Sequence, residues 1–286
     1  MRYVFVYRYR HEYPVRLMCK VLEVSHGGYY EFLKKRGDSI RQADLIARIR
    51  EAHRRSRYTY GSRRLMHYLK KDGLEIGRYK VRRLMKLAGI SARKRREYRT
   101  TTKSSHRYPV SPNLVAGNFK TAKPNVVWVS DITYIRTAEG WLYLAVVMDL
   151  YSRKIVGWSV ARTLAVDIVV EALFMAIGRR NPKAGLIHHS DRGIQYACDR
   201  YRRLLGEYGL VSSMSRSGNC LDNAVAERFF HTLKGECLVN WQNMSVESAK
   251  REIVDYIEMF YNSERLHSYA GYLSPNDYEK SAVGLL

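Results

Sequence analysis

Cysteine and acidic side chains are both scarce in this chain of 286 residues. The four cysteines, Cys19, Cys198, Cys220 and Cys237, include no CxxC pair. That excludes a disulfide framework and a zinc-thiolate site, and it fits a reduced, intracellular protein. Long apolar runs are missing as well. The longest candidate, Trp141 to Tyr151, falls short of the ~18 residues a membrane helix needs and contains Asp149. At the N-terminus, Tyr3 to Tyr7 is flanked by Arg2, Arg8 and Arg10 and is too short to be the apolar core of a secretion signal. Asp and Glu number 27 against 50 Lys and Arg, a formal charge of +23. Hydrophobic residues at 46% and aromatics at 12% exclude a mostly disordered chain, and the length suits about two domains of ~150 residues each.

The charge is concentrated. Residues 1–110 hold 30 Lys/Arg and 9 Asp/Glu, a net of +21, whereas residues 111–286 hold 20 and 18, a net of +2. A positive field of that size attracts a polyanion, and counterion release would favour nucleic-acid binding. Solubility alone is normally served by mixed signs. The first part is therefore expected to grip, and the near-neutral second part to carry chemistry.

Val15 to Val24 reads as a helix, Ser25-His26-Gly27-Gly28 as a turn and Tyr29 to Lys35 as a second helix. From Ser39 the pattern is helical, with Leu45, Ile46 and Ile49 in one stripe. Gly61 to Lys71 places Leu65, Met66 and Leu69 inward, Asp72-Gly73 stops it, and Tyr79 to Ala88 places Val81, Leu84, Met85 and Leu87 inward before Gly89. Arg63, Arg64, Lys80, Arg82, Arg83 and Lys86 stud the last two helices, which suits a helix-turn-helix module on DNA. A small helical bundle with a charged exterior is the alternative. A linker follows, opening with Arg93-Lys94-Arg95-Arg96 and containing Pro109 and Pro112; it is expected to be extended and mobile, or ordered only against phosphates.

From Val126 the period changes. Val126 to Thr137, Trp141 to Ser152 and Lys154 to Ala161 read as three strands of an antiparallel meander, with turns at Glu139-Gly140 and Ser152-Arg153. Helix Val166–Arg179, strand Leu186–His189, helix Asp199–Tyr208, strand Val211–Ser215 and helix Asn223–Cys237 follow, then a last helix from Val246 to Tyr261 and a stop at Leu273-Ser274-Pro275. Strands followed by alternating helix and strand imply an α/β layered domain.

Three acidic residues stand where folding alone would not choose them. Asp131 lies inside the hydrophobic strand Val126 to Ile132, Asp191 follows the buried strand Leu186 to Ser190, and Glu227 sits on the helix Ala224 to Phe230. A turn residue explains Asp191 well and an exposed helix position explains Glu227. Asp131 resists such an explanation, because a charge inside that strand costs several kcal/mol unless paired or metal-bound. Hard oxygen ligands without a His/Cys set suit Mg²⁺ or Mn²⁺ rather than zinc. Two such ions, ~3.5–4 Å apart, serve an in-line phosphoryl displacement by activating the attacking oxygen and stabilising the leaving one. Mutual repulsion should keep the metal-free carboxylates loose.

Thirty-five residues separate Asp191 from Glu227. This resembles the DD(35)E pattern of retroviral-integrase-like transposases, and the flanks match it. They are Trp128-Val129-Ser130-Asp131-Ile132-Thr133-Tyr134, Met148 to Trp158, His189-Ser190-Asp191-Arg192-Gly193-Ile194-Gln195-Tyr196, and Asp222 to Phe230 with Lys234-Gly235-Glu236. The chain is similar to the integrase-core transposases of bacterial insertion sequences, of the downstream-frame (OrfB) type, over nearly its whole length, including Tyr13-Pro14-Val15 and Ser25 to Tyr30. The resemblance implies an RNase H-like mixed five-stranded sheet with flanking helices, plus an all-α helix-turn-helix region. The expected division is 1–38 a basic helical segment, 39–90 the DNA-binding domain, 91–122 the basic linker and 123–286 the catalytic core. It further implies Asp131, Asp191 and Glu227 as catalytic metal ligands for two Mg²⁺ or Mn²⁺ ions. Water would then be the nucleophile for end cleavage and a DNA 3′-hydroxyl for strand transfer, through circular intermediates.

Partners implied are double-stranded DNA of element ends and target, further copies of the chain on DNA, and an upstream-frame (OrfA) product joined by frameshifting. No membrane is implied, and the setting would be the bacterial cytoplasm, on the nucleoid. A non-catalytic DNA-binding regulator and a structure-selective nuclease on the same core are the two rival functions.

Lys234 follows Glu227 by seven positions, two turns on the same helix face, and the resemblance implies that a basic residue here contacts the element end. Asn223 and His231, one turn to either side of Glu227, could line the site. Asp149 reads as a turn or salt-bridge residue, Asp222 as a helix cap, His188 and His189 as satisfied core histidines, and Tyr58, Tyr60 and Tyr68 as core.

Overall fold

The computed structural model describes residues 1–93, 108–216, 220–237, 241–282 and 284. Two compact units divide the chain, residues 1–92 and 93–286.

The first unit is all helical: α1 (Arg2–Tyr9), α2 (Val15–Val21), α3 (His26–Arg55), α4 (Ser62–Lys71) and α5 (Arg78–Leu87). Val6, Met18, Cys19 and Tyr29 form the small core where α1, α2 and the start of α3 meet. The expected turn at Ser25–Gly28 is instead the first turn of α3, a single helix of 30 residues, and the expected boundary at residue 38 falls inside it. The cause is a cap: the Ser25 hydroxyl accepts from the Gly28 N–H at 3.2 Å, so the two glycines enter a helix rather than break one. A side chain at Gly28 would also collide with the Tyr3 hydroxyl. Further along, Ile49 and Ala52 of α3 are buried, as are Leu65 and Leu69 of α4 and Val81, Leu84 and Met85 of α5. Gly73, at φ +77°, ends the connection out of α4. Leu87 is 60% exposed rather than inward; at 3.6 residues per turn it points about 120° away from Val81.

The second unit holds five strands, β1 (Val127–Thr137), β2 (Gly140–Asp149), β3 (Ile155–Ala161), β4 (Ile187–Ser190) and β5 (Val211–Met214). Their order is β3-β2-β1-β4-β5. The first three form the expected antiparallel meander, while β4 runs parallel to β1 and β5 parallel to β4. Helix α6 (Asp167–Arg180) crosses from β3 to β4, and α7 (Ile194–Ala197) with α8 (Asp199–Glu207) crosses from β4 to β5. These helices share one core with Trp128, Ala145, Val147 and Val156 of the sheet. Alternation sends Val129, Ile135, Leu144 and Val146 to the other face, where α9 (Ala224–Glu236) packs on β1. Helix α10 (Val246–Asp255) follows and continues as a π-wound segment, Tyr256–Tyr261.

Beyond it, Asn262 covers the edge of the sheet. Its amide donates to the Ile155 carbonyl and its oxygen accepts from the Ile155 N–H, both at 2.9 Å, which blunts an open strand edge. Leu273-Ser274-Pro275, expected as a stop, opens α11 (Pro275–Ala282). Pro275 needs no amide hydrogen in the first turn, and the Ser274 hydroxyl accepts from the Asp277 N–H at 3.1 Å. The end of the expected linker is tied down rather than loose. The Ser111 hydroxyl reaches that of Ser212 at 2.9 Å and the Leu114 N–H reaches the Ser213 hydroxyl at 2.9 Å, so this segment lies along β5.

Gly157 lets β3 approach α6 closely. A Cβ there would run into the Ala172 carbonyl and stand 2.8 Å from the Ala176 nitrogen, both backbone atoms. Gly157→Ala is expected to destabilise the protein by about 3 kcal/mol, read as a lower urea midpoint with an unchanged slope; an unaltered midpoint would show that the helix shifts freely.

Candidate active site

The ladder between β1 and β4 ends with the pair Ser130↔Ser190. The next residues on the two strands are Asp131 and Asp191. Parallel pairing therefore delivers the two aspartates side by side where the β1–β4 ladder stops, Asp191 just past the carboxyl end of β4 and Asp131 within β1, which runs on to Thr137 against β2 alone. Parity does the rest. Trp128 and His188 face the α6–α8 layer, His189 faces α9, and Asp131 is two positions from Val129 on the α9 side.

Two bonds fix the start of α9 over the end of this ladder. The Asn223 amide donates to the Ser130 carbonyl at 3.3 Å, and the Asp222 carbonyl meets His189 Nε2 at 3.1 Å. Glu227 lies in the first turn of that helix. Asp191 is held by its own turn, with Oδ1 accepting from the Gly193 N–H at 2.9 Å. A Cβ at Gly193 would stand 2.9 Å from the same oxygen, so a larger residue there would push the carboxylate aside.

The three carboxylates act on one another. Burial foremost, and then the Asp191 and Glu227 charges, hold Asp131 well above the usual carboxylate range, against the Ile132 N–H and the Lys234 ammonium. Burial and Asp191 likewise push Glu227 up. Among the described residues no three His, Cys, Asp or Glu side chains stand in a ready cage for an ion; the three groups meet through their fields. Two oxygen donors, Asp131 and Glu227, that resist ionisation through burial and the nearby Asp191 charge suit a hard divalent cation.

Family models match the same regions. An integrase core domain matches residues 121–220 and a second integrase core domain model residues 227–282, while an HTH-like domain matches residues 39–98. The transposase InsF of insertion sequence IS3A from Escherichia coli is 38% identical over 98% of this chain and 98% of its own length. The insertion element IS600 31 kDa protein of Shigella sonnei is 44% identical over 90% of this chain and 96% of its own. The chain belongs to the IS3 family of insertion-sequence transposases. Among solved structures, the HTLV-2 integrase catalytic core domain in complex with magnesium is similar at 16% identity and a TM-score of 0.43, covering 55% of this chain and 98% of that one.

The transposase keeps Lys234 within the field of Asp131, and burial lowers the lysine's pKa against that attraction. Its Nζ stands 5.8 Å from the centre of the Trp241 ring. Asn223 is at the end of the β1–β4 ladder, as above, and His231 is half-buried on α9. In the helical unit Arg63, Lys80, Arg82 and Arg83 are exposed, and Arg64 lies over the Tyr60 ring at 5.5 Å; Arg93, at the start of the second unit, is exposed too. Lys94, Arg95 and Arg96 fall outside the described residues.

Asp222 does not cap α9. It accepts from the Arg216 guanidinium at 3.1 Å, the Arg216 N–H at 2.9 Å and the Asn113 amide at 2.9 Å, so its oxygens are directed to the approaching loop. Asp149 is structural, accepting from the Asn125 and Tyr151 N–H groups at 2.7 and 2.8 Å. The histidines are satisfied: His188 meets the Ser130 hydroxyl at 2.8 Å, and His189 meets that of Ser213 at 2.9 Å. Tyr60 is buried, whereas Tyr58 is 49% exposed and packs its ring edge-on to His53 rather than into the core. Tyr196 and Tyr134, which close two of the matched flanks but were given no role of their own, both feel the Asp131 and Asp191 charges.

Two measurements follow from the electrostatics. Because Asp131 is raised in the folded state, its charge destabilises the protein at neutral pH without divalent ions. Asp131→Asn is expected to raise the metal-free melting temperature by about 2–4 °C, a gain that shrinks as pH falls toward the ordinary carboxylate value. An unchanged or lower melting point would show no strain at Asp131. Burial first, and then His189, lowers His188 from 6.5 to about 3. Unfolded chains then bind the extra proton, so stability should drop as pH falls from 6.5 toward 3, by up to ~1.4 kcal/mol per pH unit; urea titrations in which His188→Gln shows the same slope would refute this.

Proposed function

We propose that Asp131, Asp191 and Glu227 are the catalytic carboxylates of this insertion-sequence transposase and that together they hold Mg²⁺ or Mn²⁺, two ions per site. The observation that carries this is the β1–β4 register: it sets two aspartates side by side and leaves the third carboxylate on the helix packed above them. Bound ions would supply the Lewis acidity that favours in-line attack at phosphorus by water in end cleavage and by a DNA 3′-hydroxyl in strand transfer.

The chain's own residues do the positioning. The carboxylates gather the charge that draws cations to one point. Lys234, two turns along α9 from Glu227, offers an ammonium to a DNA phosphate beside them. Asn223 and His231 line the approach. Residues 39–90 are proposed to hold element ends through Arg63, Arg64, Lys80, Arg82 and Arg83, and the linker of residues 91–122, with Arg93, Lys94, Arg95 and Arg96, to follow the phosphate backbone. Residues 1–38 support that module and residues 123–286 form the catalytic core. The working particle is proposed to be several copies on double-stranded DNA, joined to the upstream-frame (OrfA) product, in the bacterial cytoplasm on the nucleoid. Among the described residues no helix is long and apolar enough to cross a membrane.

A supercoiled plasmid carrying element ends, incubated with Mg²⁺, separates the candidate activities. Joined products are expected from the wild type. Nicks alone would indicate a nuclease, and shifted bands alone a regulator. Asp131→Asn is expected to lower cleavage and joining together by at least ~10³-fold while leaving the DNA shift intact. Strand transfer surviving in that variant would falsify the assignment.

A further inference from the structure

In the α6–α8 layer, within the field of Asp131 and Asp191, lies a buried hydroxyl that the packing leaves unused. Tyr196 is 2% exposed, and its Oη has no hydrogen-bond partner among the described residues. Its neighbour Tyr201 differs: that hydroxyl reaches His188 Nε2 at 3.1 Å. The same nitrogen also faces the Ser130 hydroxyl at 2.8 Å, so His188 has no acceptor left to offer Tyr196. A buried O–H without a partner costs about 1–3 kcal/mol, and such a group calls for an explanation.

The backbone ties this tyrosine to Asp191. The Asp191 carboxylate takes the Gly193 N–H at 2.9 Å, and the Gly193 carbonyl takes the Tyr196 N–H at 3.0 Å. Around Gly193, Asp191 Oδ1 and Tyr196 Cδ2 come within 2.9 and 3.6 Å of a single point, the position of a virtual Cβ. The ring is locked by Tyr201 at 5.4 Å and His188 at 6.5 Å, so the hydroxyl has a fixed address. Burial first, then Tyr201, Asp131 and Asp191, hold its pKa well above that of a free phenol, which keeps it a neutral donor.

We infer that Tyr196 is a positioning residue for the catalytic carboxylates: its hydroxyl donates to the Asp131–Asp191 pair when a divalent cation draws those oxygens together. A neutral donor eases the repulsion between two carboxylates without competing for the cation, and outer partners of this kind orient metal-ligating groups. The inference rests on the carboxylate assignment proposed above.

Full-length wild type, Tyr196→Phe and Asp131→Asn are compared by Mn²⁺ titration, following free Mn²⁺ by electron paramagnetic resonance, and by metal-free thermal denaturation. Removing an unpartnered hydroxyl should leave the metal-free melting point of Tyr196→Phe unchanged or slightly higher. Its Mn²⁺ affinity should nonetheless fall about tenfold, with the Mg²⁺ concentration for half-maximal cleavage rising in step. A lower metal-free melting point would make Tyr196 a packing residue and overturn the inference, as would unchanged Mn²⁺ binding while Asp131→Asn loses it. Wild-type Mn²⁺ binding by Asp131→Asn would instead overturn the carboxylate assignment, and the role of Tyr196 with it.

Discussion

Parallel pairing between β1 and β4 is the constraint on which the rest of the second unit depends. Antiparallel neighbours such as β1 and β2 place the end of one strand beside the start of the next. The parallel β4 ends where its ladder with β1 ends, which sets the residue after β4 beside a residue inside β1, and a parallel partner needs a crossover. Here α6 makes it, seated against β3 through the bare backbone of Gly157. Two residues far apart in sequence, Asp131 and Asp191, become neighbours because the ladder stops at Ser130 and Ser190. Burial first, and then the neighbouring Asp191 charge, hold Asp131 well above the usual carboxylate range, so its ionised form opposes folding. A hydrophobic pair at those positions would serve the sheet better. Asp131 in a strand rich in Val, Trp and Ile, with Asp191 next to it, is the kind of cost that a site for chemistry carries, and it is why the catalytic role is proposed for them.

Much of this was legible in the sequence, because the strongest signals are local. Alternating and continuous apolar runs located all five strands, and the 3.6-residue stripe located α6, α8, α9 and α10. Asp131 could be singled out because a charge inside such a strand has few cheap explanations. The errors share a cause. Gly27-Gly28 and Leu273-Ser274-Pro275 look like breaks in isolation, yet a serine hydroxyl caps a helix at each, and a cap is visible only once the following N–H groups are placed. Asp222 has the composition of a cap, but Arg216 and Asn113 claim its oxygens. Tyr196 closes the matched Asp191 flank yet could be given no role, since a satisfied and an unsatisfied tyrosine read alike in a sequence.

The position of Glu227 depends on α9 being held at both ends. At its start the Asn223 and Asp222 backbone and side-chain bonds tie it to β1 and β4. Near its end Glu236 is buried in a two-bond ion pair with Arg265, at 2.6 and 2.7 Å, and also accepts from the Tyr256 hydroxyl at 2.9 Å. Surface pairs such as Asp44–Arg48 contribute little. The Glu236–Arg265 pair is of another kind, since removing one partner strands a buried charge and costs about 3–5 kcal/mol. Its directionality matters more than its strength. Apolar packing alone would let a helix slide or roll by fractions of a turn, whereas a bidentate guanidinium–carboxylate pair accepts one register. Glu227 and Lys234 both project from the length of helix between these two anchors. A helix so fixed sets the place from which Glu227 meets the field of Asp191.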